Sequence, residues 1–392
     1  MTSVAEGPAI GPTRHDTERL PMDRNYLAEQ QMVAELVTAP ALSVPPAPKG
    51  GTPAAVRQWF NGATEVILPA AADTLGAEQD AAEAFQRLAK SENTRRAYRA
   101  AVAAWCGWCA ARGVSPLPAA SHDVAAFIAG ERIRGLKANT LDLRRAGIRY
   151  LHRSAGCSVP TDDVCVSETI AGIRRQAAQK GEMPRKKAGA TAGIIEQFIA
   201  PIPDDLRGLR DRALILVGFV GALRRSELAA IDVLHLQKFE KGVRLVLPHT
   251  KGSQTVAVAV PLPYGRTQLC PVRALERWLE AAKITEGPVF RRIWLSKKTN
   301  SVAPPPLPQT GHTPLTTQAI ATIIKARAAA AGFNPDDFGG HSLKRGALTT
   351  GMQQGEHPAK LKRLGRHKSF DVLGEYLEVG DLFDNHPLKG VV

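Results

Sequence analysis

The stretch that most constrains the fold of this chain is GEMPRKKAGA at 181–190, because it divides the sequence in two. It has no apolar periodicity, and it combines one proline and two glycines with the consecutive cations Arg185, Lys186 and Lys187. This composition is typical of a connection between domains. A chain of 392 residues is long enough for two domains and a tail. We therefore predict a domain at 80–182, a basic linker at 183–190 and a second domain at 191–380.

Charge is distributed unevenly along the chain. Residues 1–80 hold 5 Lys and Arg against 10 Asp and Glu, whereas the remainder holds 46 against 27. Residues 1–79 are also rich in Pro and Ala, which predicts a mostly disordered acidic arm with short helices near 24–37 and 54–60. A basic body favours an anionic polymer such as nucleic acid, and the acidic arm is not expected to bind it. A soluble protein that is merely basic is the alternative.

The first domain reads as a bundle of helices. Tyr98, Val102, Trp105 and Cys109 form an apolar stripe at helical spacing, in a helix capped by Asn93 and ended by Gly113. Further helices are predicted at 122–134, 140–154 and 169–179. Between 91 and 190 there are 17 Lys and Arg against 8 Asp and Glu, which suits docking on DNA phosphates. The candidate DNA contacts are Arg95, Arg96, Lys137, Arg144, Arg145 and Arg149.

The second domain mixes helices with a few short strands. Helices are predicted at 191–200, 206–218, 271–282 and 316–331, and a short one follows the break at Gly221, with Ser226 as its N-cap. Strands are predicted at 234–239, 243–248 and 255–260, the last two joined by a polar hairpin that carries Lys251. The predicted fold class is mainly α with a small antiparallel β-sheet.

The last fifty residues concentrate imidazoles, cations and one tyrosine. They run GHSLKRGALTTGMQQGEHPAKLKRLGRHKSFDVLGEYLE from Gly340 and contain His341, Lys344, Arg345, His367 and Tyr376. The stretch SFDVLGEYLE predicts a short helix, with Tyr376 at the margin of its apolar face. These residue types suit attack of a phenolate on a phosphodiester, although a tyrosine on such a helix is more often a packing residue.

These segments together resemble the tyrosine recombinase, or phage integrase, family. GALRRSEL, a hairpin TKG, GHSLKR, LGRH and EYLE occur in the family's order, and 35 residues separate His341 from Tyr376. The resemblance covers about 85–385 and implies a helical core-binding (SAM-like) domain followed by a mixed α/β catalytic domain. It also assigns candidate site residues, which are Arg224, Lys251, His341, His367 and the nucleophile Tyr376, with Glu227 orienting Arg224.

One position departs from the family pattern. The family's second arginine falls at Lys344, with Arg345 one residue later. Lysine supplies charge but not the planar fork of arginine. Because one helical step rotates a side chain by about 100°, Lys344 and Arg345 cannot face one phosphate alike. Lys344 is favoured, Arg345 is the alternative, and loss of catalysis is the third possibility.

The resemblance implies site-specific recombination of double-stranded DNA through a 3′-phosphotyrosyl intermediate, by a homotetramer acting on two sites. No cofactor is expected, because the phosphotyrosyl bond stores the energy that religation needs. No metal is expected either, since the sequence has no carboxylate cluster for a divalent ion and the C-x-x-C of Cys106 and Cys109 has no second pair at zinc spacing. No export signal or membrane span is recognisable, so a cytoplasmic, nucleoid-associated protein is expected. Residues 381–392 are predicted to dock on a neighbouring protomer. A mobile-element integrase is favoured, while a type IB topoisomerase and a catalytically weakened DNA-binding accessory protein are the alternatives.

Overall fold

In a computed structural model, the chain forms two compact units, Met1–Pro184 and Arg185–Val392. The structure describes residues 45–69, 74–182, 187–248, 257–295, 308–367 and 369–370. Within these residues it is mostly helical with two small antiparallel sheets. The division between the units falls inside the predicted linker. The helix predicted at 24–37 lies outside the described residues.

The first unit is a bundle of six α-helices within its described part. They are α1 (Pro53–Ala63), α2 (Leu75–Leu88), α3 (Glu92–Ala110), α4 (Ser121–Ile133), α5 (Ala138–Ser154) and α6 (Val164–Gln179). Ser91, rather than Asn93, caps α3, and α6 begins five residues before the predicted start at 169. Helix α2 was not predicted.

Aromatic side chains fill the core of this unit. Trp105 and Trp108 on α3 stack with ring centroids 5.4 Å apart, and Phe127 on α4 meets Trp105 edge-on at 5.3 Å. Helix α3 packs closely on α5 at Gly147, where an added Cβ would lie 2.5 Å from the Cβ of Ala101. The stripe predicted for α3 is therefore a packing face.

Helix α1 differs from its predicted surroundings. The sequence placed a helix at 54–60 inside a disordered arm, but Val56, Trp59 and Phe60 are buried in the core of the helical bundle. Thr52 caps α1, with Pro53 at its first position, a combination that favours a helix start. The Pro- and Ala-rich stretch that suggested disorder therefore contains the start of an ordered helix.

The second unit is built around a central helix. Its described elements begin with α7 (Ala192–Ile199), α8 (Leu206–Val220), α9 (Arg225–Ala229), β1 (Leu236–Phe239), β2 (Gly242–Leu247) and β3 (Val258–Pro263). They continue with α10 (Pro271–Ala281), β4 (Arg291–Leu295), β5 (Pro308–Pro314), α11 (Thr317–Ala330), α12 (Ser342–Gln353) and α13 (Pro358–Gly365). Helix α8 is buried on nearly all sides from Ala213 to Phe219 and packs against α10 and α12.

The predicted sheet is present with small shifts. Strands β1, β2 and β3 are antiparallel neighbours in that order, with Leu245 opposite Val260. A 3₁₀ turn at Val233–His235 takes the place of the first predicted strand residues, and β3 lies about three residues later than predicted. The pair β4 and β5 was not predicted, because neither segment shows a clear apolar alternation.

Candidate active site

Arg224 occupies the turn between α8 and α9. Its backbone is extended and it precedes the first residue of α9, so Arg224, and not the predicted Ser226, is the N-cap. Its backbone N–H donates to Glu227 Oε2 at 2.9 Å, and its guanidinium donates to Glu227 Oε1 at 2.9 Å. Both side chains are largely buried, which fixes the direction of the guanidinium.

Lys344 lies in the first turn of α12 and is fully buried. Its ammonium donates to the backbone carbonyl of Gly365, at the end of α13. Burial is the main cause of a Lys344 pKa lowered to about 7; the charges of Arg224 and Arg366 act in the same direction, and Glu227 opposes them. Lys344 therefore shares an electrostatic environment with Arg224.

Arg345 points to a different part of the second unit. Its guanidinium donates to the carbonyl of Lys187 at 2.7 Å, in the second half of the predicted linker. The backbone N–H of Ala190 donates to the carbonyl of Ser342 at 2.9 Å, which holds the same segment against α12. Between the two candidates for the second cation, the structure brings only Lys344 together with Arg224. His341 is exposed, directly before α12.

His367 follows α13 and is 7% exposed. Burial, and after it the charges of Lys344, Arg224 and Arg366, together lower its pKa to about 4. His367 is therefore neutral at pH 7 and has one ring N–H to donate. Gly365 lies against the ring, since an added Cβ there would be 2.4 Å from Cδ2 of His367.

Arg366 was missed by the sequence reasoning and lies within the same cluster. Its guanidinium donates to Glu227 Oε2 at 2.8 Å and to the carbonyls of Gly221 and Ala222 at 3.0 and 2.7 Å. The only signal in the sequence was its place between Gly365 and His367 in LGRH, and nothing there indicated a contact with Glu227.

The described part of the site carries more positive than negative charge. Arg224, Lys344 and Arg366 contribute three cations around the single carboxylate of Glu227, whose pKa stays below its ordinary value even though burial favours its neutral form. The depressed pKa of Lys344 beside Arg224 and Arg366 means that a third positive charge is disfavoured in this cluster. A bound anion would reverse that preference, so the arrangement suits a phosphodiester.

Two predicted residues fall outside the described residues. These are Lys251, on the predicted hairpin, and Tyr376, in the predicted C-terminal helix. Of that helix only Ser369 and Phe370 are described, and the Lys362 ammonium lies 4.5 Å from the centre of the Phe370 ring. The predicted docking segment 381–392 also lies outside.

The six predicted DNA contacts differ in their availability. Arg95 is buried and donates to the carbonyls of Arg87 and Lys90 and to Glu92, so it serves the fold and is withdrawn as a DNA contact. Arg144 donates to the carbonyl of Ala100 at 2.7 Å, and Arg149 pairs with Asp162 at 3.0 Å. Arg96 and Lys137 are exposed and Arg145 is half-buried.

The C-x-x-C cysteines are packing residues. Cys106 and Cys109 lie in the core of the first unit, and burial raises their pKa values to about 11 and about 12. Both are therefore protonated thiols at neutral pH. Within the described ranges no group of His, Cys, Asp and Glu is arranged to hold a metal ion, and no helix is long and apolar enough to cross a bilayer.

Two parts of the sequence match known protein families, in the same order as the two structural units. Residues 191–381 match the Phage integrase family, and residues 85–156 match the Phage integrase, N-terminal SAM-like domain. An "Integrase/recombinase xerD homolog" of Selenomonas ruminantium is 34% identical over 316 residues, which cover 78% of this chain and 88% of that protein. The chain therefore belongs to the phage integrase family of tyrosine recombinases.

Two further proteins extend the comparison. "Tyrosine recombinase slr0733" of Synechocystis sp. is 23% identical and covers 79% of this chain and 94% of that protein. Among solved structures, XerH site-specific recombinase bound to difH substrate, a pre-cleavage complex, aligns with a TM-score of 0.53 at 12% identity, covering 87% of this chain and 95% of that one. At that identity the likeness concerns the fold, which is that of a tyrosine recombinase.

Proposed function

We propose that this chain is a site-specific recombinase that cleaves and rejoins DNA strands with Tyr376 as its nucleophile. The observation that carries the proposal is the meeting of Arg224, Lys344 and His367. Arg224 is more than a hundred residues from Lys344 and His367 in the sequence, yet the three share one largely buried cluster with excess positive charge. That cluster is suited to the negative charge that develops on the non-bridging oxygens of an attacked phosphodiester.

Each of the three side chains has a distinct part in binding the phosphate. Arg224, held by Glu227, offers a fixed fork to one oxygen pair. Lys344 supplies the second charge, and arrival of the phosphate raises its pKa and keeps it protonated. His367 stays neutral and donates its ring N–H to a non-bridging oxygen.

In the proposed reaction, the energy of the broken phosphodiester bond is kept in a covalent bond between Tyr376 and the DNA. The phenol oxygen of Tyr376 attacks phosphorus while its proton passes to His341 as general base. The bond from phosphorus to the 5′-oxygen breaks, and Lys251 gives that oxygen a proton. The product is a 3′-phosphotyrosyl bond and a free 5′-hydroxyl, and attack by a 5′-hydroxyl of another strand reverses the steps without ATP.

The remaining assignments concern DNA and assembly. Three cations of the helical unit are proposed to contact DNA phosphates. They are Arg96 and Lys137, which are exposed, and Arg145, which is half-buried. We further propose a homotetramer on two duplex sites, with 381–392 docking on a neighbour, and a role for a mobile element in the cytoplasm at the nucleoid.

Trapping on nicked duplexes tests the proposal. Duplexes that tile the DNA flanking the gene are nicked just downstream of the cleavage point, so that the short fragment with the new 5′-hydroxyl diffuses away and the covalent adduct accumulates. The expected result is an SDS-resistant adduct with the wild type and none with Tyr376→Phe. Adducts in both proteins would reject Tyr376, and tight binding without any adduct would establish the accessory-protein alternative.

Supercoil relaxation separates the remaining enzyme class. If the protein relaxes plasmids that lack any flanking sequence as fast as plasmids that contain one, a topoisomerase function replaces the proposal. Recombination between two plasmid-borne sites, and its loss when 381–392 are deleted while single-site binding persists, supports the recombinase and the docking tail together.

A further inference from the structure

The side chain of Arg366 makes four hydrogen bonds to described residues of the second unit. Arg366 follows α13, and its side chain is 8% exposed. One terminal nitrogen donates to the carbonyls of Gly221 and Leu364, and the other donates to the carbonyl of Ala222 and to Glu227 Oε2. The four N–H bonds of these two nitrogens are thus matched by four acceptors, so the fork is already occupied by protein.

These contacts join two distant segments of the chain. Gly221 and Ala222 form the turn that leads to Arg224, and Glu227 is the carboxylate that holds Arg224 at both its backbone and its guanidinium. At the other end, Arg366 stands between Gly365, which accepts the bond from Lys344, and His367. One guanidinium therefore links the turn before Arg224 to the turn before His367.

The backbone at both ends of this link is unusual. Arg366 has φ 54° and ψ 49°, and Ala222, whose carbonyl it contacts, has φ 45°. The left-handed region favours glycine, particularly at the end of a helix. Arg366 occupies this place against the backbone preference, which points to a role for its side chain.

Arg366 also acts on its neighbours through its charge. After burial itself, it is among the cations that lower the pKa of Lys344 and of His367. Among the described residues, the charged and titratable groups that interact with Lys344 include Arg224, Arg366, Glu227 and His367. Removal of Arg366 would therefore change the protonation of the phosphate-binding groups as well as their position.

We propose that Arg366 is a positioning residue that holds Arg224 and His367 in register on the two sides of the scissile phosphate. It acts through Glu227 and through the 221–222 turn, without touching the DNA. The inference rests on the proposed function, because it concerns the same phosphate site.

Three substitutions separate the parts of this role. Arg366→Gly suits the left-handed backbone and removes the guanidinium, Arg366→Ala removes it without suiting the backbone, and Arg366→Lys keeps a charge without the fork. Lys283→Gly is the matched control, because Lys283 is an exposed cation that also has a positive φ, of 53°. We expect wild-type cleavage from this control.

Single-turnover cleavage of a nicked duplex is the main measurement, at saturating full-length protein. Misplacement of a reacting group by about 1 Å costs on the order of 100-fold in rate. We expect Arg366→Gly to cleave about 100-fold more slowly, with duplex affinity within about threefold of wild type, and Arg366→Lys to recover part of the rate. Because Arg366 acts through Glu227, adding Glu227→Gln to Arg366→Gly should cost little more than the larger single effect.

The pH profile of cleavage at subsaturating DNA distinguishes this role from mere support of the fold. Lys344 must be protonated, so the wild-type rate falls above its pKa. Loss of the Arg366 charge raises that pKa, and the alkaline limb of the Arg366→Gly profile should move to higher pH.

Each other outcome overturns the inference. A wild-type cleavage rate for Arg366→Gly would do so. So would a cleavage rate that is lowered equally at all pH values, with an unmoved alkaline limb. A melting temperature lowered at all pH values would show a loss of folding and would also overturn it. Absence of any adduct with the wild-type protein would instead reject the proposed function, so the two failures are distinguishable.

Discussion

The ammonium of Lys344 donates a hydrogen bond to the backbone carbonyl of Gly365, so α12 is tied to the turn that carries His367. This bond gives a fully buried lysine in the family's second-arginine position a fixed direction. The neighbouring Arg345 is committed to the carbonyl of Lys187. The two adjacent cations therefore have separable roles.

Neutral substitutions at the two positions test this separation. Lys344→Met keeps much of the volume and removes the charge, and we expect cleavage to fall on the order of 100- to 1,000-fold, as for loss of one donor to a developing oxyanion. Arg345→Met removes an anchor outside the cluster and should cost about tenfold or less. Single-turnover cleavage of the nicked duplex measures both, and the reverse order of effects would assign the second cation to Arg345.

The buried ammonium of Lys344 should also destabilise the protein without DNA. Its pKa is about 7 in the folded protein, against an ordinary value of 10.5. The unfolded chain therefore holds the proton more tightly, the penalty is complete below pH 7, and it fades as the pH rises towards 10.5. Since each pKa unit corresponds to about 1.4 kcal/mol, the largest penalty is on the order of 5 kcal/mol.

Thermal melts of DNA-free Lys344→Met against wild type measure this penalty. We expect the variant to melt higher at pH 6.5, and the difference to shrink as the pH approaches 9.5. A variant that melts lower at every pH would show that the ammonium stabilises the fold. Together with slower cleavage, a higher melting temperature would be a trade of stability for function.

Much of this architecture was predictable, because the helices rest on apolar periodicity and the site on ordered motifs. The pairing of Arg366 with Glu227 was not, since it spans 139 residues and no local pattern specifies such a contact. The position of α1 was missed because Pro and Ala resemble disorder until Val56, Trp59 and Phe60 find partners in the bundle. Arg95 was misjudged because the sequence does not show which face of α3 is covered.

The buried imidazole of His152 should make the stability of the first unit sensitive to acid. Its ring is fully buried, Nδ1 lies 2.8 Å from the carbonyl of Ile148, and Nε2 accepts from the N–H of Ala119 at 3.0 Å. Burial lowers its pKa, against the opposing effect of the Ile148 carbonyl. Protonation would remove the acceptor for Ala119, so stability is full above the ordinary histidine pKa of about 6.5 and declines below it, by at most about 1.4 kcal/mol per pH unit.

Hydrogen exchange of the amides of α5 between pH 7.5 and pH 5 checks this expectation, after correction for intrinsic exchange. Protection should fall with pH in wild type and in His122→Gln, which alters a histidine whose side chain is 83% exposed. It should be less pH-dependent in His152→Gln. Equal pH dependence in all three proteins would remove His152 as the cause.

The close contact between Gly365 and the His367 ring allows a test of whether cleavage requires the imidazole at its observed position. A Cβ at residue 365 would lie 2.4 Å from Cδ2 and 2.7 Å from Nε2 of His367, and 3.1 Å from Cδ1 of Leu348. Because contacts below 3 Å force a neighbour to move, Gly365→Ala should displace the imidazole and lower cleavage about as far as His367→Ala does. Duplex affinity should change little, since the contacts along the helical unit are untouched.

Gly172→Ala is the matched control. Gly172 lies within α6 with nothing within 4 Å of an added Cβ, and alanine there should stabilise the protein by about 1 kcal/mol without affecting cleavage. If Gly365→Ala cleaves at the wild-type rate while its melting temperature drops, the imidazole has room to relax and His367 need not be held where the structure places it.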